Sequence, residues 1–353
     1  MSSLVDLLDR YRGMRVLITG HTGFKGSWLG VWLHHLGARV DGLALEPESP
    51  RDNFVVTGLE HLCGHHVLDI RDRDAVARLI TEVQPEIIFH LAAQSLVLEG
   101  YADPWRTFTT NVTGTLNVLE GVRAWGGSPS VVVVTTDKVY EDRGWPWGYR
   151  EIDRLGGRDP YSASKTAAEV VTSSYRESFL GDAMAVTTVR AGNVVGAGDW
   201  CKDRIVPDIQ RFLWDGIPLV LRHPQAVRPW QHVLEPLFGY LVLAIVGLEK
   251  PEKYSGPWNF GPSMSQVRTV SDVVEALVDR SEAGSYTVTT EREPETEFLM
   301  VDSSRARQEL GWVPTLDFAA TMDLVAEGYG ADRRGAGGLV NRVEQIERFL
   351  STV

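Results

Sequence analysis

Thr136, Asp137 and Lys138 follow a run of four valines, Val131 to Val134, and Tyr161 and Lys165 come later within Tyr-Ser-Ala-Ser-Lys. These side chains could oxidise an alcohol and then expel water. Tyr161 would take the hydroxyl proton while Thr136 hydrogen-bonds the same oxygen. A tyrosine in water has a pKa near 10, so it needs neighbouring positive charge to serve as a base at neutral pH. Lys165, four residues on, lies about one helical turn away on the same face, and its ammonium together with a positive nicotinamide ring is expected to favour the phenolate. Asp137 adds a second chemistry. Oxidising a sugar C4 hydroxyl makes the C5 proton acidic, because it is then α to a ketone, and a general acid on the C6 hydroxyl lets water leave. Asp137 is the candidate acid, which requires burial to raise its pKa. A 4-epimerase, which returns hydrogen to C4 from the opposite face, has no use for that acid and is the alternative reading.

The elements that must position these groups are legible as an alternation. An unbroken valine run predicts a strand buried on both faces of a parallel sheet, and polar residues at its carboxyl end lie where open α/β sheets bind ligands. Arg15 to Thr19 reads as the first strand and Gly37 to Leu45 as the second. Val67-Leu68 leads into Asp69, Ile87 to Leu91 is the next strand, and Ala185 to Val189 a later one. Helices are expected over Asp72–Val83, Asn111–Gly121 and from Tyr161 to about Phe179. This alternation predicts an α/β fold, a Rossmann-type doubly wound parallel sheet. After Arg190 the rhythm changes and Gly and Pro become frequent, as in a smaller, loop-rich C-terminal substrate domain. The expected division is residues 1–190 for the dinucleotide and 191–353 mainly for the substrate, with 236–262 returning to the first.

Gly20, Gly23 and Gly26 stand in a G-x-x-G-x-x-G spacing directly after the first strand and open a helix. Glycines permit the tight turn, and a helix N-terminus offers free N–H groups to a pyrophosphate. The acid expected on the ribose at the end of the second strand is replaced by Ala44, with Glu46 close by. No arginine follows that strand immediately to meet a 2′-phosphate, so NAD is favoured over NADP.

Composition narrows the partners. Net charge is −12 over 353 residues and no Lys/Arg-rich run stands out, which argues against nucleic acid or an anionic membrane. Cys63 and Cys201 lack metal-ligand spacing, so no metal site or disulfide framework is expected, and a reducing cytoplasm fits. The eleven tryptophans include Trp145 and Trp147, between the two chemical motifs, where a pocket wall and surface packing are equally open readings.

Gly20-His-Thr-Gly-Phe-Lys-Gly-Ser-Trp28, Thr135-Thr-Asp-Lys138, Trp147-Gly-Tyr-Arg-Glu151, Tyr161-Ser-Ala-Ser-Lys165, Arg190-Ala-Gly-Asn193 and Arg228-Pro-Trp-Gln-His-Val-Leu-Glu-Pro236 together resemble the CDP-glucose 4,6-dehydratase family of extended short-chain dehydrogenases/reductases. The likeness runs from about Arg15 to Trp312. It implies an NAD-dependent lyase acting on a nucleotide sugar, with Thr22, Phe24, Asp69, Ile70, Leu91, Ala92 and Ala93 joining the glycines around the cofactor. It also implies that Gln94, Asn193, Arg204, Arg228 and His232 meet the nucleotide sugar, Arg228 being suited to a diphosphate. Where related dehydratases carry a glutamate as C5 base, this chain has Lys138; whether Lys138 or a water takes that proton is open. Asn111 resembles the superfamily's structural asparagine. A homodimer through the helices of 111–121 and 163–179 is implied. The family's usual Ala-Ala-Gln-Pro-Leu-Val-Arg is here Ala92-Ala-Gln-Ser-Leu-Val-Leu98, which loosens a turn at Ser95 and removes a positive charge at Leu98.

Overall fold

A computed structural model describes residues 3–181, 184–221, 223–263, 267–278, 286–288 and 299–353. The first half runs β1 (Arg15–Thr19), α1 (Phe24–His35), β2 (Arg39–Ala44), α2 (Asn53–Val56), β3 (Gly64–Val67), α3 (Arg73–Val83), β4 (Ile87–His90), α4 (Val97–Ala102), α5 (Pro104–Phe108), α6 (Gly114–Trp125), β5 (Ser130–Val134), α7 (Pro160–Tyr175) and β6 (Val186–Ala191). Then come β7 (Val194–Val195), α8 (Ile205–Asp215), β8 (Val220–Leu221), β9 (Val227–Arg228), β10 (Gln231–His232), α9 (Leu234–Glu249), α10 (Pro251–Tyr254) and β11 (Gly256–Phe260). The chain closes with β12 (Arg268–Thr269), α11 (Val270–Val278), β13 (Thr287–Val288), α12 (Phe318–Arg333) and α13 (Gly338–Leu350).

Seven of these strands form one sheet in the order β11-β6-β5-β4-β1-β2-β3, with every neighbouring pair parallel. The order reverses between β1 and β4, so a crevice opens there at the carboxyl ends, beside the glycine turn. The central strands are apolar because both faces are covered. On one face β1, β4 and β5 pack on α1 and on α9, which is buried continuously from Leu234 to Gly247. On the other they meet α3 and α6 through Val76, Leu79, Val118 and Val122. A third cluster around Trp200, Trp230, Leu277 and Tyr329 joins α8, α11 and α12 beyond the sheet's carboxyl edge.

One element differs from expectation. The helix expected to begin at Asn111 is the end of a longer run. That run starts with α4 and restarts at Pro104, where Asp103 accepts a hydrogen bond from Arg106 N. An Asp-Pro pair is an N-terminal signal, with proline at the first helical position. Between α5 and α6 the chain makes one π turn, Thr109–Thr113, around Asn111. The segment Asp6–Tyr11 forms a 3₁₀ turn, anchored where Tyr11 donates to the Leu241 carbonyl of α9 at 2.8 Å.

Candidate active site

The crevice is a cleft of about 1980 Å³ lined by the glycine turn, the ends of β2, β4, β5 and β6, the first turn of α7 and the start of α8. At its dinucleotide end Gly20 adopts φ +80°, and a Cβ there would stand 2.7 Å from Ala92 N. A Cβ on Gly26 would strike the Gly20 carbonyl. Both positions therefore require glycine. The first turn of α1 has no side-chain cap, and Gly23, Phe24 and Lys25 of that turn face the cleft. Open N–H groups at the positive end of a helix suit a pyrophosphate, so these residues fit a dinucleotide. Thr22 is tied to the end of β2 by a 2.9 Å bond to the Leu45 carbonyl. Leu91, Ala92 and Ala93 line the path towards the catalytic strand end. Glu46 is exposed at the cleft wall beyond buried Ala44.

Asp69 and Ile70 also line the cleft. Asp69 has a partner the sequence did not disclose, since Arg71 donates to its carboxylate through its backbone N at 2.9 Å and through Nε and Nη2. That guanidinium holds the Asp69 carboxyl below the usual range.

At the chemical centre, β5 delivers Thr136 and Asp137 while α7 delivers Tyr161 and Lys165 into the same cleft. The start of α7 is fixed by Asp159, whose carboxylate caps Ser162 N at 3.0 Å, and by Pro160 at the first helical position. Thr136 Oγ1 donates to Asp137 Oδ1 at 3.0 Å. Asp137 is only 4% exposed, and burial pushes its carboxyl above the ordinary range against the pull of Lys138, Thr136, Lys25 and Arg228. Lys138 is half-buried.

Tyr161 is buried at the start of α7. Its phenol is raised to about 12, chiefly by burial, with a Thr136 hydrogen bond and Arg204 pulling down and Asp137 pushing up. Lys165 donates Nζ to the Val134 carbonyl at 2.8 Å, and burial brings its own ammonium down to about 8. The protein's own groups thus keep the phenol neutral at pH 7.

Behind these residues lies a buried ionic brace. Glu169, one turn beyond Lys165, accepts from Thr135 Oγ1 at 2.6 Å, Thr188 Oγ1 at 2.6 Å, and Arg190 Nε and Nη2 at 2.8 and 2.9 Å. Arg190 also donates to Tyr140 Oη at 2.7 Å, which donates to Asn259 Oδ1. Asn111 braces the neighbouring loop: its Oδ1 accepts from Gln94 N at 2.8 Å, and its Nδ2 donates to Gln94 O and Ser164 Oγ.

The proposed sugar side divides. Asn193, Arg204 and Arg228 line the cleft, as do Ser95, Leu98 and Glu99. Gln94 lines it too, but its amide is committed to Leu96 N, the Leu96 carbonyl and Thr107 Oγ1. His232 lies outside the cleft, fully buried with its ring edge-on to Trp28, because pairing of β10 with β7 turns it into the core. Its pKa falls to about 3 through burial. Trp145 and Trp147 also stand outside the cleft lining; they pack on each other, and Trp145 stacks on Tyr149. Lys25 was missed. It faces the cleft from the first turn of α1, and burial, aided by Arg204 and opposed by Asp137, brings its ammonium to about 8. A cation in the first turn opposes the helix dipole, and that oddity was the available signal.

Residues 17–325 match the family model described as GDP-mannose 4,6 dehydratase. A CDP-glucose 4,6-dehydratase of Salmonella typhimurium is 42% identical over 349 residues, covering 97% of each chain. A dTDP-glucose 4,6-dehydratase of Xanthomonas campestris pv. campestris is 27% identical over 96% of this chain and 99% of that one. Among solved structures, the dTDP-glucose 4,6-dehydratase of Streptomyces venezuelae with NAD bound superposes with a TM-score of 0.78 at 24% identity, covering 92% of this chain and 100% of that one. No helix among the described residues is long and apolar enough to cross a membrane.

Proposed function

The chain belongs to the GDP-mannose 4,6 dehydratase family, and from that premise we propose that it is an NAD-dependent nucleotide-sugar 4,6-dehydratase converting CDP-glucose to CDP-4-keto-6-deoxyglucose. The observation that carries this reading is the meeting of Asp137, Thr136 and Tyr161 in one cleft, with Asp137 buried where a carboxyl resists ionisation. An acid that stays protonated can give its proton to the C6 hydroxyl.

The glycine turn, Asp69, Ile70 and Leu91 to Ala93 would hold the dinucleotide. A bound NAD supplies reversible two-electron oxidation at sugar C4 and the matching reduction at C6. Tyr161 removes the C4 hydroxyl proton, and Thr136 holds that oxygen and hydrogen-bonds the phenol. Asp137 protonates the leaving C6 hydroxyl. Lys138, half-buried after the same strand, would take the C5 proton itself or through a water. Arg228 and Arg204 face the diphosphate, and Asn193 the sugar. Ser95 and Leu98 stand on the cleft wall where base and sugar preference would be read.

The division into a dinucleotide part and a substrate part is supported by β11, which returns after residue 255 to pair with β6. A homodimer is supported by exposed Trp105, Phe108, Val170 and Phe179 on α5, α7 and the turn that follows α7. A cytoplasmic site of action is supported by the two free cysteines, Cys63 and Cys201.

Incubating the purified protein with CDP-, dTDP-, UDP- and GDP-glucose, with and without added NAD, tests the reading by mass spectrometry. Loss of one water from the CDP sugar alone is the expected outcome. Loss from another nucleotide keeps the chemistry and overturns the substrate, and loss from none overturns the dehydratase.

A further inference from the structure

Asp137 is confined at both oxygens of its carboxyl. Oδ1 accepts from Thr136 Oγ1 at 3.0 Å. Oδ2 lies against Gly192, where the chain leaves β6 for β7. A Cβ there would stand 2.8 Å from Asp137 Oδ2 and 2.9 Å from Pro229 Cγ. The three segments meet because they are tied together. Thr135 N donates to the Val189 carbonyl at 2.9 Å, joining the ends of β5 and β6. Gln231 N donates to the Asn193 carbonyl at 3.1 Å, drawing the Pro229 turn onto the same spot. Gly192 is not in the left-handed region, so its backbone does not call for glycine as that of Gly20 does. The obstacle differs too. At Gly26 a Cβ would strike a backbone carbonyl, whereas at Gly192 it would meet the tip of a rotatable side chain and a proline ring atom that can repucker. A methyl group at this point therefore burdens the direction of the carboxyl more than the fold.

Resting on the dehydratase reading above, we propose that Gly192 is a positioning residue for the reaction, its missing side chain leaving the space that aims Asp137 at the C6 hydroxyl. The steps divide accordingly. In the oxidation the C4 hydroxyl gives its proton to Tyr161 and the C4 hydride goes to bound NAD, and Asp137 takes no part. In the elimination the C5–H bond breaks, its proton goes to the base and its electron pair forms the C5–C6 double bond. The C6–O bond breaks as Asp137 protonates that oxygen, and water leaves. Hydride return to C6 with a proton to C5 closes the cycle, and the Asp137 carboxylate regains a proton from solvent. Only the elimination depends on where the acid points. A carboxyl turned aside by a Cβ on Gly192 stays in the cleft but loses its line to the C6 oxygen, and a misplacement of about 1 Å costs about 10²-fold in rate.

The test uses the full-length holoenzyme with CDP-glucose and with its 6-deoxy-6-fluoro analogue, whose fluoride leaves without a proton from an acid. Gly192→Ala should lower kcat for water loss from CDP-glucose about 10²-fold, with KM within about twofold of wild type. Fluoride release from the analogue, read with an ion-selective electrode, should stay within about threefold of wild type in the same variant. A merely structural role would slow both substrates alike, and that result overturns the proposal, as does wild-type turnover of CDP-glucose. A second arm places Gly192→Ala in an Asp137→Ala background, where no carboxyl remains to be displaced. There it should change the residual kcat by less than about twofold, and a further large loss would show that Gly192 acts elsewhere. Should Gly192→Ala alone fail to fold, recovery of folding in the double variant supports the carboxyl as what the Cβ meets, and no recovery overturns the proposal. Failure of the underlying reading looks different: normal dehydration by Asp137→Asn, or no water loss from any nucleotide sugar.

Discussion

Burial raises the Asp137 carboxyl and lowers the Lys165 ammonium, and the two shifts have opposite consequences. Asp137 needs to stay protonated to act, so replacement by an amide of the same shape should remove the acid without disturbing the pocket. We expect Asp137→Asn to lose about 10²- to 10⁴-fold in water elimination while NAD binding, followed by fluorescence, is unchanged. Near-normal product formation would remove Asp137 from the mechanism. Burial brings the Lys165 ammonium down from its ordinary 10.5 to about 8. A depressed cation contributes stability fully present above the unfolded pKa and lost as pH falls through the folded one. Wild type should therefore gain on Lys165→Met by about 3 kcal/mol as pH rises from about 7.5 to 10.5, read from denaturant melts. A flat difference over that window would show that Lys165 is not strained. At this scale the chemical types were legible and their electrostatics were not. The Tyr161–Lys165 spacing placed both groups in the cleft, but it could not disclose that Lys165 spends its proton on Val134, nor that Ser95 and Arg204, far apart in sequence, touch.

The ends of β5 and β6 and one face of α7 are joined by a single buried pair, Glu169 and Arg190, 5% and 2% exposed. Removing one member strands the other charge, which costs about 3–5 kcal/mol. Glu169→Ala is expected to fall in that range by chemical denaturation and to lower turnover, because Thr135 loses the partner that anchors the catalytic strand end. Glu169→Leu combined with Arg190→Met should recover most of the stability but not the turnover. A single variant within about 1 kcal/mol of wild type would show that the brace is dispensable. The strands and longer helices were readable because their periodicity and buried runs were unambiguous. The π turn at Asn111 was not: its extra residue is stabilised by contacts to Gln94 and Ser164 from other elements, which no local pattern encodes. His232 misled because a motif match says nothing about which way a short strand faces.

Across the whole molecule, the last helix is fastened to the first. Arg342 on α13 is fully buried, pairs with Asp332 at 2.5 Å, donates to Asn53 Oδ1 at 2.9 Å and lies over the Trp28 ring. Asn53 in turn donates to Ser27 on α1, the helix that opens at the glycine turn. Arg342→Leu should cost about 3–5 kcal/mol by leaving Asp332 unpaired and should weaken NAD binding measured by titration. Unchanged NAD affinity in a folded variant would confine this link to stability.

The seventh strand carries a consequence for synthesis on the ribosome. β6 is an interior strand only after β11 has paired with it, and about 65 residues of substrate-side chain lie between Ala191 and Gly256. At about 5–20 residues per second, the nascent protein spends several seconds with an unpaired apolar edge. During that interval, neighbouring nascent chains on one message are the nearest source of a wrong partner for β6.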